Sequence, residues 1–165
     1  MQTMNVDPRP AASRGFTLIE MIVVVMIAGI LASAAMPLAA LHKRRQQETE
    51  LREGLRTLRS ALDAYHRAWE QGRIEKRSDD TGWPPSLDVL VTGVPDASNP
   101  KGVRIYFLRR LPRDPFASPD VPAERTWGLR SYASPPDAPM PGTDVFDVYV
   151  RTPGTGLDGT PYRSW

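Results

Sequence analysis

The chain has 165 residues, a formal net charge of +2 and no cysteine. That length admits one membrane segment and one small domain. The missing cysteines exclude a disulfide framework, a thiol nucleophile and a thiolate metal site, and they leave the redox compartment open. The near balance of charge argues against a nucleic-acid partner.

Residues 1–14 read as a polar leader with prolines at Pro8 and Pro10, and with Arg9 and Arg14 set against Asp7. From Met21 to Leu41 the chain carries no charged residue over 21 positions, and about 20 apolar residues cross a bilayer as a helix. Pro37 near the end of this run predicts a kink, not a stop. One acid, Glu20, stands at the head of the run, five residues after Gly15. A buried carboxylate is costly unless it is paired. Two plain readings exist. In one, the run is a signal anchor and Glu20 snorkels at the lipid interface. In the other, it is a secretory signal peptide cut in the small-residue stretch Ala32–Met36, although the apolar core is long for that and contains an acid. Lys43, Arg44 and Arg45 crowd the far side of the run, so the positive-inside rule does not choose an orientation.

Leu51, Leu55, Leu58, Leu62, Tyr65 and Trp69 follow at spacings of 4, 3, 4, 3 and 4, which predicts one apolar stripe of a helix. Arg52, Arg56, Arg59, Asp63 and Arg67 fall between them and are expected to face water. Gly72 marks a stop. Phe16 to about Glu70 therefore reads as one helix of roughly 80 Å at 1.5 Å per residue. Most of the prolines lie beyond Trp83 and predict loops and short strands. Residues 73–82 form a charged loop, and "WPPSLDVLV" predicts a short helix over Ser86–Val91. "VRIYFLRRLPRDPF" holds a short apolar stretch closed by prolines. Alternation predicts strands over Thr126–Ala133 and Asp144–Arg151, followed by a glycine-rich terminal loop. The expected fold is α+β: a long N-terminal helix, membrane half then amphipathic half, packed on an antiparallel sheet of two to four strands.

Little in the chain points to catalysis, and no enzyme activity is expected. His42 and His66 lie too far apart along one helix to share a metal and read as surface histidines. Ser86, Ser98 and Ser118 have no evident base partner, and no phosphate-binding glycine loop is present. Trp69, Trp83, Trp127 and Trp165 read as core and edge cover, ahead of a ligand platform.

The segment "RGFTLIE" with the apolar run behind it resembles the class III leader of type IV pilins and type II secretion pseudopilins. The resemblance implies a pilin-like fold, cleavage by a prepilin peptidase after Gly15 and methylation of the new N-terminal Phe16. Glu20 matches the family's fifth-position glutamate and Pro37 its kinking proline. In a filament the partner for Glu20 would be the Phe16 amine of an adjacent subunit. Such a pair neutralises both charges and fixes the register of one helix on the next. The basic cluster "HKRR" then meets anionic headgroups or filament neighbours.

"AYHRAWEQGR", "YFLRRLPRDPF", "WGLRSY", "DVFDVYV" and the final "SW" are similar, in that order, to the G-type (major) pseudopilin. Leu111, Pro112, Asp114 and Pro115 match a family turn that precedes the sheet. The resemblance divides the chain into a cleaved leader (1–15), a transmembrane and assembly helix (16–41), its amphipathic continuation (42–72) and a globular head (73–165). It implies a structural subunit of a periplasmic pseudopilus in type II protein secretion. The subunit would be single-pass in the bacterial inner membrane, with its head in the periplasm. The implied partners are prepilin peptidase, other pseudopilin subunits and the inner-membrane assembly platform. The family's terminal loop binds calcium through several acids. Here that loop keeps only Asp158, well short of the six to eight oxygens calcium takes. Asp158 stands as the one calcium candidate, against a plain Asp158–Gly159 turn, and no cofactor is assigned. The alternatives are a type IV pilus subunit for adhesion, motility or DNA uptake, or a signal-anchored binding domain that does not polymerise.

Overall fold

The structure, a computed structural model, describes residues 15–99 and 101–165, and only the backbone of residues 34–36. The leader expected over residues 1–14 lies outside the described residues. So do the side chains at the alternative cut near Ala34 and Ala35. The chain divides between His42 and Lys43 into two compact units.

Helix α1 runs over Leu18–Glu70. Thr17, just before it, accepts the Glu20 N–H on Oγ1 at 3.3 Å. This satisfies one of the donors that a helix start leaves without a partner. Glu20 sits in the first turn, where an acid suits the positive end of the helix dipole. Thr-Leu-Ile-Glu is thus a capping-box pattern as well as the head of the apolar run. In the first unit the described side chains of α1 are exposed on every side. A helix apolar all round seeks lipid or other helices, and this one is long and apolar enough to cross a membrane. Pro37 lies inside α1 without ending it.

The second unit is the head. Its part of α1 buries Leu51, Leu55, Leu58, Leu62 and Tyr65, the predicted stripe, with Ala61 and Ala68 beside them and Trp69 at the edge. The helix ends at Gly72, whose φ is +71°. Gly72 N–H bonds the Trp69 carbonyl at 3.0 Å and Arg73 N–H bonds the Ala68 carbonyl at 2.9 Å. These two bonds close a Schellman cap, which glycine enters without a Cβ penalty.

Helix α2, Asp88–Thr92, is shifted slightly from the predicted Ser86–Val91 and drives Leu87 and Leu90 into the core. Strands β1 (Val94–Pro95) and β2 (Arg104–Ile105) pair antiparallel. A four-residue helix α3, Ala123–Thr126, which periodicity does not signal, leads into β3 (Trp127–Arg130). Strand β3 pairs with β4 (Asp147–Val150) in the register Trp127↔Val150 to Arg130↔Asp147. The expected single sheet is therefore two separate two-stranded pieces, and both predicted long strands are trimmed. Prolines remove ladder donors, and "SPPDAPMPG" sits directly between β3 and β4.

Trp127, 2% exposed, lies against Gly54 of α1, where an added Cβ would come within 3.2 Å of the indole. Its Nε1 donates to the Pro112 carbonyl at 2.9 Å. Asp114 is fully buried and accepts from Phe116 N–H and Thr152 Oγ1, both at 2.8 Å, while its own N–H reaches Thr126 Oγ1 at 3.3 Å. The Leu111–Pro115 turn is thereby tied to the entry of β3 and the exit of β4. Of the other tryptophans, Trp69, Trp83 and Trp165 pack partly buried at the rim of the core. His66 is not a free surface histidine. It stacks on Trp83 at 4.3 Å and hydrogen-bonds Gly82 O through Nδ1 at 3.0 Å.

Leu58 is wholly buried at the centre of the stripe. Leu58→Ala is expected to cost about 2–5 kcal/mol of head stability, read as a lowered thermal midpoint. A loss under about 1 kcal/mol would mean that the stripe is not the seat of the core.

Candidate functional site

The sequence marks two regions, the head of α1 and the C-terminal loop. Gly15 precedes the helix with open space around its Cα. Phe16 is 75% exposed, and Glu20 lies one turn further on, also exposed. Among the described residues, none forms an ion pair with the Glu20 carboxylate. Pro37 is exposed inside the same apolar helix. Among the described residues, nothing covers Gly15, and Glu20 is a lone acid at the head of an unpartnered apolar surface.

The C-terminal loop is more ordered than a glycine-rich sequence suggests. Thr155 and Pro161 form a bridge, Gly156 N–H bonds the Thr160 carbonyl at 2.7 Å, and a 3₁₀ turn covers Tyr162–Ser164. Four side chains of α1 hold it: Arg44, Glu48, Arg52 and, at the Trp165 main chain, Arg59. Glu48, 5% exposed, accepts Leu157 N–H at 2.9 Å and Tyr162 Oη–H at 3.0 Å, and pairs with Arg44 at 3.4 Å. Arg44 in turn donates to the Thr155 carbonyl at 2.5 Å. Arg52 pairs with Asp158 at 2.5 Å and lies 4.0 Å over the Trp165 ring. Asp158 also accepts the Thr160 N–H and hydroxyl at 2.9 and 2.7 Å. Those Thr160 bonds, and then Arg52, hold the Asp158 carboxyl below the usual carboxylate range. Burial pushes the Tyr162 hydroxyl up.

The remaining acids near the sheet are also engaged. Asp144 is a buried carboxylate in the loop before β4. Burial raises its pKa, but donation from Thr81, the Tyr132 N–H and Ser131 outweighs burial and leaves it lowered. Asp147 pairs with Arg59 at 3.0 Å and Arg130 at 3.4 Å. Arg59 does not face water as expected. It is half-buried and also donates to the main-chain oxygens of Val148 and Trp165. Sequence reasoning missed Glu48, yet a signal was present. Glu48 lies three residues before Leu51 and extends the buried stripe, so an acid occupies a core position.

A glycine-aromatic junction, a first-turn glutamate, an exposed apolar helix and a head built on the same helix define the class of prepilin-like subunits. Residues 10–36 match the prokaryotic N-terminal methylation motif. The chain is 32% identical to a type II secretion system core protein G of Klebsiella michiganensis over 112 residues, covering 66% of this chain and 71% of that one. It is 33% identical to the core protein G of Vibrio cholerae over 154 residues, covering 87% and 88%. A type IV major pilin of Myxococcus xanthus is 33% identical over 85 residues but is covered over only 36% of its length. No solved structure matches. The chain belongs to the type II secretion system core protein G family, the major pseudopilins, and is a pseudopilus subunit anchored in the inner membrane.

Two outcomes follow for the head. Glu48→Ala leaves the Leu157 N–H and Tyr162 hydroxyl without their acceptor, at a cost of about 1–3 kcal/mol. Limited proteolysis should then release the last residues first, and an unchanged digestion pattern would rule out this anchor. The second outcome concerns pH. Asp96, lowered by Ser98 and then Arg73, joins Asp144 and Asp158 in titrating below its ordinary value. A group lowered in the fold contributes fully above its unfolded pKa, about 3.9, and loses that contribution as pH falls through the folded value. The thermal midpoint of the detergent-solubilised chain should hold from neutrality to about pH 5 and fall below about pH 4. Asp144→Asn should make that acid limb shallower.

Proposed function

We propose that the chain is cut after Gly15 by prepilin peptidase, methylated at Phe16, and drawn by an inner-membrane assembly platform into a periplasmic filament through residues 16–41. Residues 42–72 continue the helix and residues 73–165 form the head, which stands in the periplasm. The new Phe16 amine of one subunit meets the Glu20 carboxylate of the next, and Pro37 shapes the helix for packing. The work of the subunit is mechanical. Its filament pushes or plugs, energy comes from elsewhere, and the processed subunit itself catalyses no reaction.

The observation that carries this reading is Glu20. It is a lone exposed carboxylate without an ion-pair partner among the described residues, one turn from Phe16 on a helix exposed on every side. An apolar surface of that size needs lipid or other helices. Within such a bundle a carboxylate needs a cation. An amine one turn away on an identical neighbour supplies it and fixes the stagger of the two helices.

The test is the intact mass and N-terminal residue of the protein from cells with and without an active prepilin peptidase. A methylated Phe16 start that appears only with the peptidase is expected. A start after Ala34 or Ala35, or an uncut Met1, would make this a secreted or anchored domain instead. Glu20→Ala should leave the chain in the membrane and abolish its incorporation into filaments. Normal assembly of that variant would remove Glu20 from the mechanism.

A further inference from the structure

We propose that the C-terminal loop of this subunit is closed by a guanidinium clasp from α1 in place of a calcium ion, so that the head folds and assembles independently of calcium. The residues present do not fit the ion. Calcium takes six to eight oxygens, with several carboxylates among them. From Arg151 to Trp165 the loop holds one acid, Asp158. One of its oxygens accepts two bonds from Thr160 and the other pairs with Arg52. The second carboxylate that reaches the loop is Glu48. Its Oε1 takes the Leu157 N–H, the Tyr162 hydroxyl and Arg44. Among the described residues, no group of three or more acids or histidines is placed to hold a metal.

The charge count points the same way. Two carboxylates are matched by two guanidinia, so the cluster is neutral as built. A dication here would sit beside Arg44 and Arg52 without an acid of its own. The arginines also do the work expected of a bound ion, which is to tie the loop to a rigid element. Arg44 holds the carbonyl of Thr155, Glu48 the N–H of Leu157, and Arg52 the carboxylate of Asp158 and the face of Trp165. The anchors are thus spread from the start of the loop to its end.

The two halves of the clasp differ in their exposure. The Arg52–Asp158 pair is 44% and 45% exposed; in the Arg44–Glu48 pair the arginine is 47% exposed and only Glu48, at 7%, is buried with its bonds to Leu157 and Tyr162. Salt screens exposed pairs and spares buried ones. The loop therefore responds to ionic strength at Asp158, stays fixed at Glu48, and ignores calcium.

The test is hydrogen exchange over residues 154–165 of the full chain in detergent, with calcium in excess and then with EDTA. The Leu157 and Tyr162 amides should exchange equally slowly in both. Arg52→Ala should speed exchange around Asp158 to the same extent in both, and Glu48→Gln should do so at Leu157. Protection that EDTA abolishes and calcium restores would overturn the proposal. So would Arg52→Ala and Glu48→Gln variants that exchange like the wild type. Filament formation in EDTA should equal that in calcium. A wild type that never assembles counts against the filament reading, while its exchange data still decide the clasp.

Discussion

The head depends on one buried row along α1: Glu48, Leu51, Leu55, Leu58, Leu62 and Tyr65. Most of the later elements place residues in the cluster built on this row. Leu87 and Leu90 bring α2 to it, Trp127 brings β3, Val148 and Val150 bring β4, and Tyr162 brings the terminal turn. These elements have few contacts of their own. The strands are two to four residues long, and two-stranded pieces of that size are not stable alone in water. Their order comes from packing on a helix that presents a continuous apolar edge. This explains why a proline-rich second half folds at all. It needs only to lay short segments on a prebuilt surface.

The same row shows what was legible in the sequence. Apolar periodicity gives the helix and its buried face, because burial of leucine depends on spacing alone. The leader pattern, the Gly72 stop and the positions of β3 and β4 are legible for similar local reasons. The polar anchors are not. Arg59 and Asp63 occupy the same water-facing row by periodicity, yet Arg59 turns to Asp147 and the Trp165 main chain while Asp63 stays exposed. A long side chain reaches partners that lie about a hundred residues away in sequence, and no local rule names them. Asp144 and His66 are of the same kind. Each is a polar group whose burial depends on donors or rings brought up by distant segments. Strand ends were over-read because alternation continues through Ser131–Ala133 and Asp144–Phe146, where polar groups leave the ladder: the Ser131 N–H turns to the Met140 carbonyl, and Asp144 takes the Ser131 hydroxyl and the Tyr132 N–H.

The two units meet opposite physical demands. The head engages its buried acids internally, with Glu48, Asp96, Asp114 and Asp144 held by arginines, hydroxyls and main-chain N–H groups. The first unit keeps an apolar surface and a carboxylate that nothing in the described chain neutralises. A monomer with that surface is incomplete outside a membrane or a bundle. Contacts between different patches of identical subunits leave an open end at each addition and grow filaments where the rotation does not close a ring. A carboxylate paired with the terminal amine of the next copy is a contact of this kind, because donor and acceptor sit at different points on the chain. In the assembly proposed above, that one acid would supply both attraction and polarity of growth.

A filament that bears load also constrains the head. The weakest segments of a fold open first, and a terminal loop rich in glycine belongs to that class. Residues 151–165 would fray easily if held by their own backbone bonds alone. Anchoring them to α1 through Glu48, Arg44 and Arg52 couples their opening to the part of the head with the densest burial. Arg59 extends the coupling by holding the Trp165 main chain and β4 together. A metal would achieve the same closure, with a stability that follows the concentration of the ion. Side chains of the helix itself remove that dependence, so the rigidity of the loop is fixed when α1 forms and travels with each subunit into the polymer.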